Sequence, residues 1–258
     1  MRRLVLAASL LSLPASAHAW GALGHHLTAR LAADYLSKNA RTEVHRLLGI
    51  SSLTDASTWA DSIRTLRPET GPWHYINVPV DSIFGGWARF CPPEGCILAA
   101  IDRYSAILAD RTRPDVERAE ALRFLIHFIG DLHQPLHVGE RGNRGGNDVK
   151  VTWQGRPTNL HSVWDSYLIG SAGLDEDHWL GRLRKTARRM NRKEVASGGP
   201  ADWAAESHAI SRDHVYALPS PLEVGSVYAM ENLPRAEQRL AQAGVRLAAL
   251  LNQLLKGG

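Results

Sequence analysis

The chain has 258 residues, enough for one large domain or two small ones around a substantial core. Its composition, 44% hydrophobic and 22% charged, excludes an intrinsically disordered chain. A formal charge of +4 is too small to name a partner by itself.

The first 19 residues stand apart. Arg2 and Arg3 make a positive start, LVLAASLLSL is a short apolar run, and Ala17-His18-Ala19 fits a small-x-small cleavage site. The expectation is a signal peptide over residues 1–19, cleaved between Ala19 and Trp20, and a secreted or periplasmic domain over 20–258. An uncleaved amphipathic start is the alternative. Loss of Arg2 and Arg3 takes the charge from +4 to +2. No later segment supplies about 18 uncharged apolar residues, so no membrane anchor is expected. A monomer is the default.

Helical periodicity then dominates. HHLTARLAADYL, residues 25–36, repeats apolar positions at three- and four-residue intervals. TWADSIR, residues 58–64, offers Asp61 with Arg64 one helical turn along, and PWHYINVP, residues 72–79, offers His74 between aromatics. Alone, Asp61 reads as a helix cap and His74 as a packed core histidine. Cys91 and Cys96 flank a Pro-Pro-Glu-Gly turn, which an oxidising compartment would let them close as a disulfide. A thiol nucleophile or a metal pair is the rival, against which the spacing is not that of a CxxC site.

The densest chemistry lies in HFIGDLHQPLH, residues 127–137. His127 and Asp131 are four apart and share a helix face, while Pro135 ends the helix and brings His137 in from a loop. Next come a loop, GERGNRGG, and one small hairpin from DVKVTW with Gln154-Gly155 at its turn. LHSVWDSYL repeats the spacing with His161 and Asp165. A single His-x-x-x-Asp pair is more often a surface pair or a satisfied core histidine. Two pairs with a further histidine point to metal, because neutral imidazole and carboxylate are zinc's ligands outside thiolate sites. RLRKTARRMNRK, residues 182–193, could steer a polyanion, but such a run is more often a solvated helix face. RAEQRLAQAGVRLAALLNQLL reads as a long closing helix with its leucines and alanines toward the core. The pattern is that of one mainly α-helical domain.

WGALGHH at the expected mature start, then WAD, WHYIN, HFIGDLHQPLH, GGN and NLHSVWD in this order, closely resemble the S1/P1 nuclease family. RLAQAGVRLAALLN near the end is similar to that family's closing helix, so the resemblance spans the whole mature chain. It implies the α-helical fold of P1 nuclease and zinc-dependent phospholipase C, with three Zn2+ ions. Asp61, His74 and His127 would hold one zinc, and Asp131 would bridge to a second, held by His25 with the amine and carbonyl oxygen of Trp20. His137, His161 and Asp165 would hold the third. Two close zincs sharing a carboxylate activate water for attack on phosphorus, and the third neutralises charge on the phosphate. Asp61, Arg64 and Asp131 would be catalytic, Arg64 stabilising the transition state or pairing with Asp61.

The resemblance further implies that Tyr75 stacks on an unpaired nucleobase and Asn77 bonds its edge. Asn147 and Asn159 would order the metal loops or serve ordinary turns. No cysteines here could supply the second disulfide of the fungal members. The expected activity is hydrolysis of single-stranded DNA and RNA to 5′-phosphate products, together with 3′-nucleotidase activity. A phospholipase C-type phosphodiesterase and a non-catalytic zinc- or nucleic-acid-binding protein are the rivals.

Overall fold

The computed structural model describes residues 20–256. The expected signal peptide lies outside them. Helices α1 (Ala22–Tyr35) and α2 (Lys38–Leu48) open the chain, followed by the short α3 (Leu53–Ala56) and α4 (Trp59–Ile63). Ser52 caps α3 with a capping box completed by Asp55. An extended stretch containing β1 (Val78–Pro79) leads to α5 (Ile97–Ala109) and α6 (Asp115–Leu132). The disulfide forms between Cys91 and Cys96, with the Cα atoms 5.3 Å apart.

Helix α6 is the axis of the fold. From Ala119 onward nearly every residue is buried, because α4, α5, α2 and α12 (Ser226–Leu254) cover it on different sides. A helix so enclosed needs apolar residues all round, which FLIHFIGDL supplies apart from its two ligand-type residues. After α6 come β2 (Gly139–Glu140) and the hairpin β3 (Lys150–Trp153) and β4 (Arg156–Asn159). Gln154 and Gly155 turn the hairpin with φ of 48° and 78°, the left-handed pair of a type I′ turn. The hairpin expected from the sequence forms, and it is part of a larger sheet. A third strand, β5 (Glu223–Val224), joins β3 in parallel, and β1 and β2 form a separate parallel pair.

The remaining helices are α7 (Leu160–Ser162), α8 (Leu168–Gly170), α9 (Glu176–Arg189), α10 (Arg192–Val195) and α11 (Pro200–Ile210). α12 is longer than the sequence pattern indicates, carries Pro234 within it, and packs along α1. Its inward face is not only leucine and alanine. Arg239 and Arg246 are also buried, converging on Glu206 of α11, and Arg246 donates to His133 Nε2 at 3.0 Å.

Two apolar clusters result. One surrounds Phe124, Phe128, Ile129 and Leu132 of α6; the other joins Trp20, Leu27, Leu136, Leu160, Val163 and Trp164. The residues singled out as ligands interleave with both sets in sequence, which places them at the seam. No helix among the described residues is long and apolar enough to cross a membrane.

Candidate metal centre

At this seam imidazoles and carboxylates converge in three groups, each with donor atoms within 4.8 Å of one another. Asp61 of α4, His74 and His127 of α6 form the first. His74 Nδ1 stands 3.1 Å from His127 Nε2, and each is 3.7 Å from Asp61 Oδ1. His25, His127 and Asp131 form the second, where the His25 ring stacks on His127 at 4.0 Å and 11°. His137, His161 and Asp165 form the third, with His161 Nε2 3.2 Å from Asp165 Oδ2.

Asp131 joins the first two groups through different oxygens. Its Oδ1 lies 3.2 Å from His25 Nε2, while its Oδ2 lies 2.9 Å from His74 Nδ1 and 3.2 Å from His127 Nε2. One carboxylate therefore faces two donor sets at once.

Backbone carbonyls aim the rings. His127, His137 and His161 donate from Nδ1 to the carbonyls of Ser57, His74 and Gly145 at 2.6, 2.7 and 2.7 Å. A carbonyl only accepts, so each bond places the proton on Nδ1 and leaves the neutral ring's Nε2 lone pair facing the group. Gly145 is required for the last of these. It has φ 59°, and a Cβ there would sit 2.4 Å from the Leu136 carbonyl oxygen. The strand-like run after His74 makes the same kind of link, since Ile76 and Val78 donate to the carbonyls of His137 and Val138. This ladder holds the first and third groups in register.

Do these residues suit zinc? Zinc–nitrogen and zinc–oxygen bonds of about 2.0–2.2 Å in a tetrahedron put neighbouring donors roughly 3.3–3.6 Å apart. The separations of 2.9–3.7 Å within the first two groups bracket that value. His25 Nε2, Asp131 Oδ1 and His137 Nε2, all on the inward side of these groups, are buried without a hydrogen-bond partner, which is costly unless something else engages them. The donor set is imidazole and carboxylate without thiolate, as zinc accepts. The residues fit.

The electrostatics agree. Burial lowers the pKa of His25 and His137, and takes His74 to about 4 and His161 to about 3, so these rings are neutral at pH 7. His127 goes the other way: burial opposes its charge, but the Asp131 and Asp61 carboxylates outweigh burial and raise it to about 9. Burial would raise Asp131, yet the His127 charge and the histidine hydrogen bonds hold it well below the usual carboxylate range. Burial drives Asp165 well above that range, against a hydrogen bond from Gln134.

The rim carries the other residues expected from the sequence. The Arg64 guanidinium lies 3.4 Å from Asp61 Oδ1, and its charge contributes to the lowered pKa of His161. Tyr75 and Asn77 are exposed while Ile76 and Val78 between and after them are buried, so both project outward from the extended run that follows His74. Ile97 donates to the Tyr75 carbonyl at 3.0 Å, which anchors that run to the residue following the disulfide. Asn159 caps α7 by accepting from Ser162 N, a turn role that also sets His161. Asn147 donates to the Arg144 carbonyl at 2.9 Å, within its own turn. His161 and Asp165 meet across a π-helical stretch, Val163–Tyr167, whose extra residue per turn re-aims a side chain.

Sequence reasoning missed Gln134. It is fully buried, donates to Asp165 Oδ1 at 2.6 Å and accepts from Leu136 N at 2.6 Å. Its place between His133 and Pro135 was the only signal for it. Trp20 is buried in the second apolar cluster, and Gly21 N donates to the Asp165 carbonyl at 2.8 Å, so the expected mature start lies against the third group.

Gly130 explains how α1 reaches α6. A Cβ there would come within 2.8 Å of His25 Nδ1. Gly130→Ala should therefore displace the stacked His25 ring and strip metal from the second group while Asp165's group keeps its ion. Metal analysis of the purified variant checks this, and full metal content with unchanged activity would refute it.

A sequence model described as S1/P1 nuclease matches residues 20–256. Endonuclease 2 of Arabidopsis thaliana is 33% identical over 264 residues, covering 92% of this chain and 91% of its own. Nuclease P1 of Penicillium citrinum is 33% identical over 268 residues, covering 91% and 97%. Nuclease S1 of Aspergillus oryzae is 31% identical over 281 residues, covering 97% of each chain.

Proposed function

From the premise that the chain belongs to the S1/P1 nuclease family, we propose that it is a zinc-dependent phosphodiesterase. Its substrates are single-stranded DNA and RNA, cleaved to 5′-phosphate products, and it also removes phosphate from 3′-nucleotides. The observation that carries this reading is the Asp131 carboxylate, whose two oxygens face two separate donor groups. Closely paired metal sites sharing a ligand suit in-line displacement at phosphorus.

Trp20 and His25 would serve the ion on the Asp131 Oδ1 side, and Asp61, His74 and His127 the ion on its Oδ2 side. His137, His161 and Asp165 would hold a third. When bound, the ions supply Lewis acidity and water activation. The chain's own residues do the rest. The carbonyls of Ser57, His74 and Gly145 keep three imidazoles aimed. Gln134 holds one oxygen of Asp165, so its other oxygen stays turned to His161. Arg64, beside Asp61 at the rim, meets negative charge growing on the phosphoryl oxygens. Tyr75 offers an exposed face for a base, which only an unpaired base can occupy, and Asn77 offers a donor and an acceptor to its edge.

Residues 1–19 would direct export, and cleavage between Ala19 and Trp20 would leave a monomeric domain of residues 20–258 and free the Trp20 amine. The test is side-by-side hydrolysis of single-stranded DNA, RNA, a 3′-nucleotide and phosphatidylcholine, before and after chelation. Hydrolysis of the nucleic acids and the nucleotide, lost with chelator and regained with zinc, is expected. Cleavage of the lipid alone would overturn the reading.

A further inference from the structure

The cationic run at residues 182–193 plays no part in the metal centre, but it does more than coat a helix. Arg184 and Arg188, one turn apart on α9, and Arg192 at the start of α10 line a cavity of about 510 Å³ with Asp34 and Tyr35 of α1. A second cavity of about 470 Å³ shares Asp34, Tyr35 and Arg192 and adds Lys193 and the polar Ser37 and Asn252. The two open volumes therefore adjoin.

Among the described residues the only carboxylate lining either cavity is Asp34, which Arg184 engages through two hydrogen bonds of 2.8 and 3.0 Å. Arg188, Arg192 and Lys193 are exposed and form no hydrogen bond or ion pair through their side chains among the described residues. Arg192 lies over the half-buried Tyr35 ring at 5.2 Å. Cations in the last turn of α9 would favour the helix dipole wherever they pointed. That does not account for Arg192 and Lys193, which lie beyond α9, or for the convergence of three guanidinium groups on one cavity. A cationic groove with an aromatic wall is how proteins hold single strands without reading sequence.

We propose that this cavity binds the phosphodiester backbone of single-stranded nucleic acid, away from the metal centre. The proposal rests on the nuclease reading for its biological sense. His25 and Tyr35 are ten residues apart on α1, which puts about 15 Å of helix between the two sites. That separation is within the length of a strand of several nucleotides but beyond a dinucleotide, which is confined to one site. The site would retain a long substrate between cuts.

The test compares R188E/R192E with the parent protein, both zinc-loaded. Binding of a fluorescent phosphorothioate oligothymidylate of about 20 nucleotides, longer than the ~4–16-nucleotide footprints of single-strand grooves, is followed across salt concentrations. Hydrolysis of a dinucleotide is measured alongside. The expected result is roughly tenfold weaker binding at low salt, with the log–log salt slope reduced by about 0.7 for each phosphate the variant no longer neutralises. Dinucleotide hydrolysis should be unchanged, and R188K/R192K should bind within about threefold of the parent, since a lysine keeps the charge. Unchanged oligonucleotide affinity would overturn the proposal. So would an equal loss in the lysine variant, or a parallel loss on the dinucleotide. If no phosphodiester is hydrolysed by the parent, the nuclease reading fails, yet the binding comparison still decides this site.

Discussion

Asp131→Asn should lower kcat on single-stranded DNA by on the order of 10⁴-fold. Removing one preorganised group that stabilises transition-state charge costs about 10²–10³, and Asp131 faces two donor groups at once. Asparagine has the same shape but no charge and one fewer acceptor. Two ions would be weakened together, and His127 would lose the principal cause of its raised pKa. Asp165→Asn, which touches only the third group, should cost at least tenfold less. Metal analysis and kcat for both variants, with thermal unfolding to check that each still folds, would decide. Comparable small losses from the two would remove Asp131 from its bridging role.

Retaining Ala19 ahead of Trp20 should also be damaging, though less so than losing the Asp131 charge. A free α-amine has a pKa of about 8 and a lone pair available to a metal. An acylated nitrogen shares that lone pair with the carbonyl in a planar amide and is a poor donor. Trp20 is fully buried and its successor is tied to the Asp165 carbonyl, so the chain start has little freedom to swing aside. The expected outcome is the loss of one metal per chain and a kcat about 10²-fold lower, the scale of removing a single stabilising group. Native mass spectrometry of both forms, with kinetics, measures this. An extended chain with its full metal complement and full activity would show that the amine is not a ligand.

Much of the fold was legible because its signals are local. The His127–Asp131 spacing and the stop at Pro135 marked α6, the alternating run and Gln154-Gly155 marked the hairpin, and the turn between Cys91 and Cys96 marked the disulfide. Each depends on residues within a turn or two of one another. What the patterns misjudged were long-range effects. The closing helix looked amphipathic with an aliphatic inner face, but Arg239 and Arg246 are drawn inside because Glu206 of α11 arrives to meet them. The cationic run is largely a solvated face, as its pattern reads, but Tyr35 and Asp34 from α1 also make part of it the wall of a cavity, which spacing could not show.

The candidate site divides along the same line. Helical geometry determined that His127 and Asp131 share a face, and the sequence alone placed His161 and Asp165 four residues apart. Spacing could not place Asp61, His74 and His25 around α6, and only the family resemblance pointed to them, because those approaches close loops of tens of residues and depend on packing. Nor could it show that Asp131 turns one oxygen to each side, that Gly130 makes room for His25, or that Gln134 holds Asp165. The carbonyls that aim the imidazoles carried no signal at all, since every residue has one, and only the folded chain decides which three are within reach of a ring.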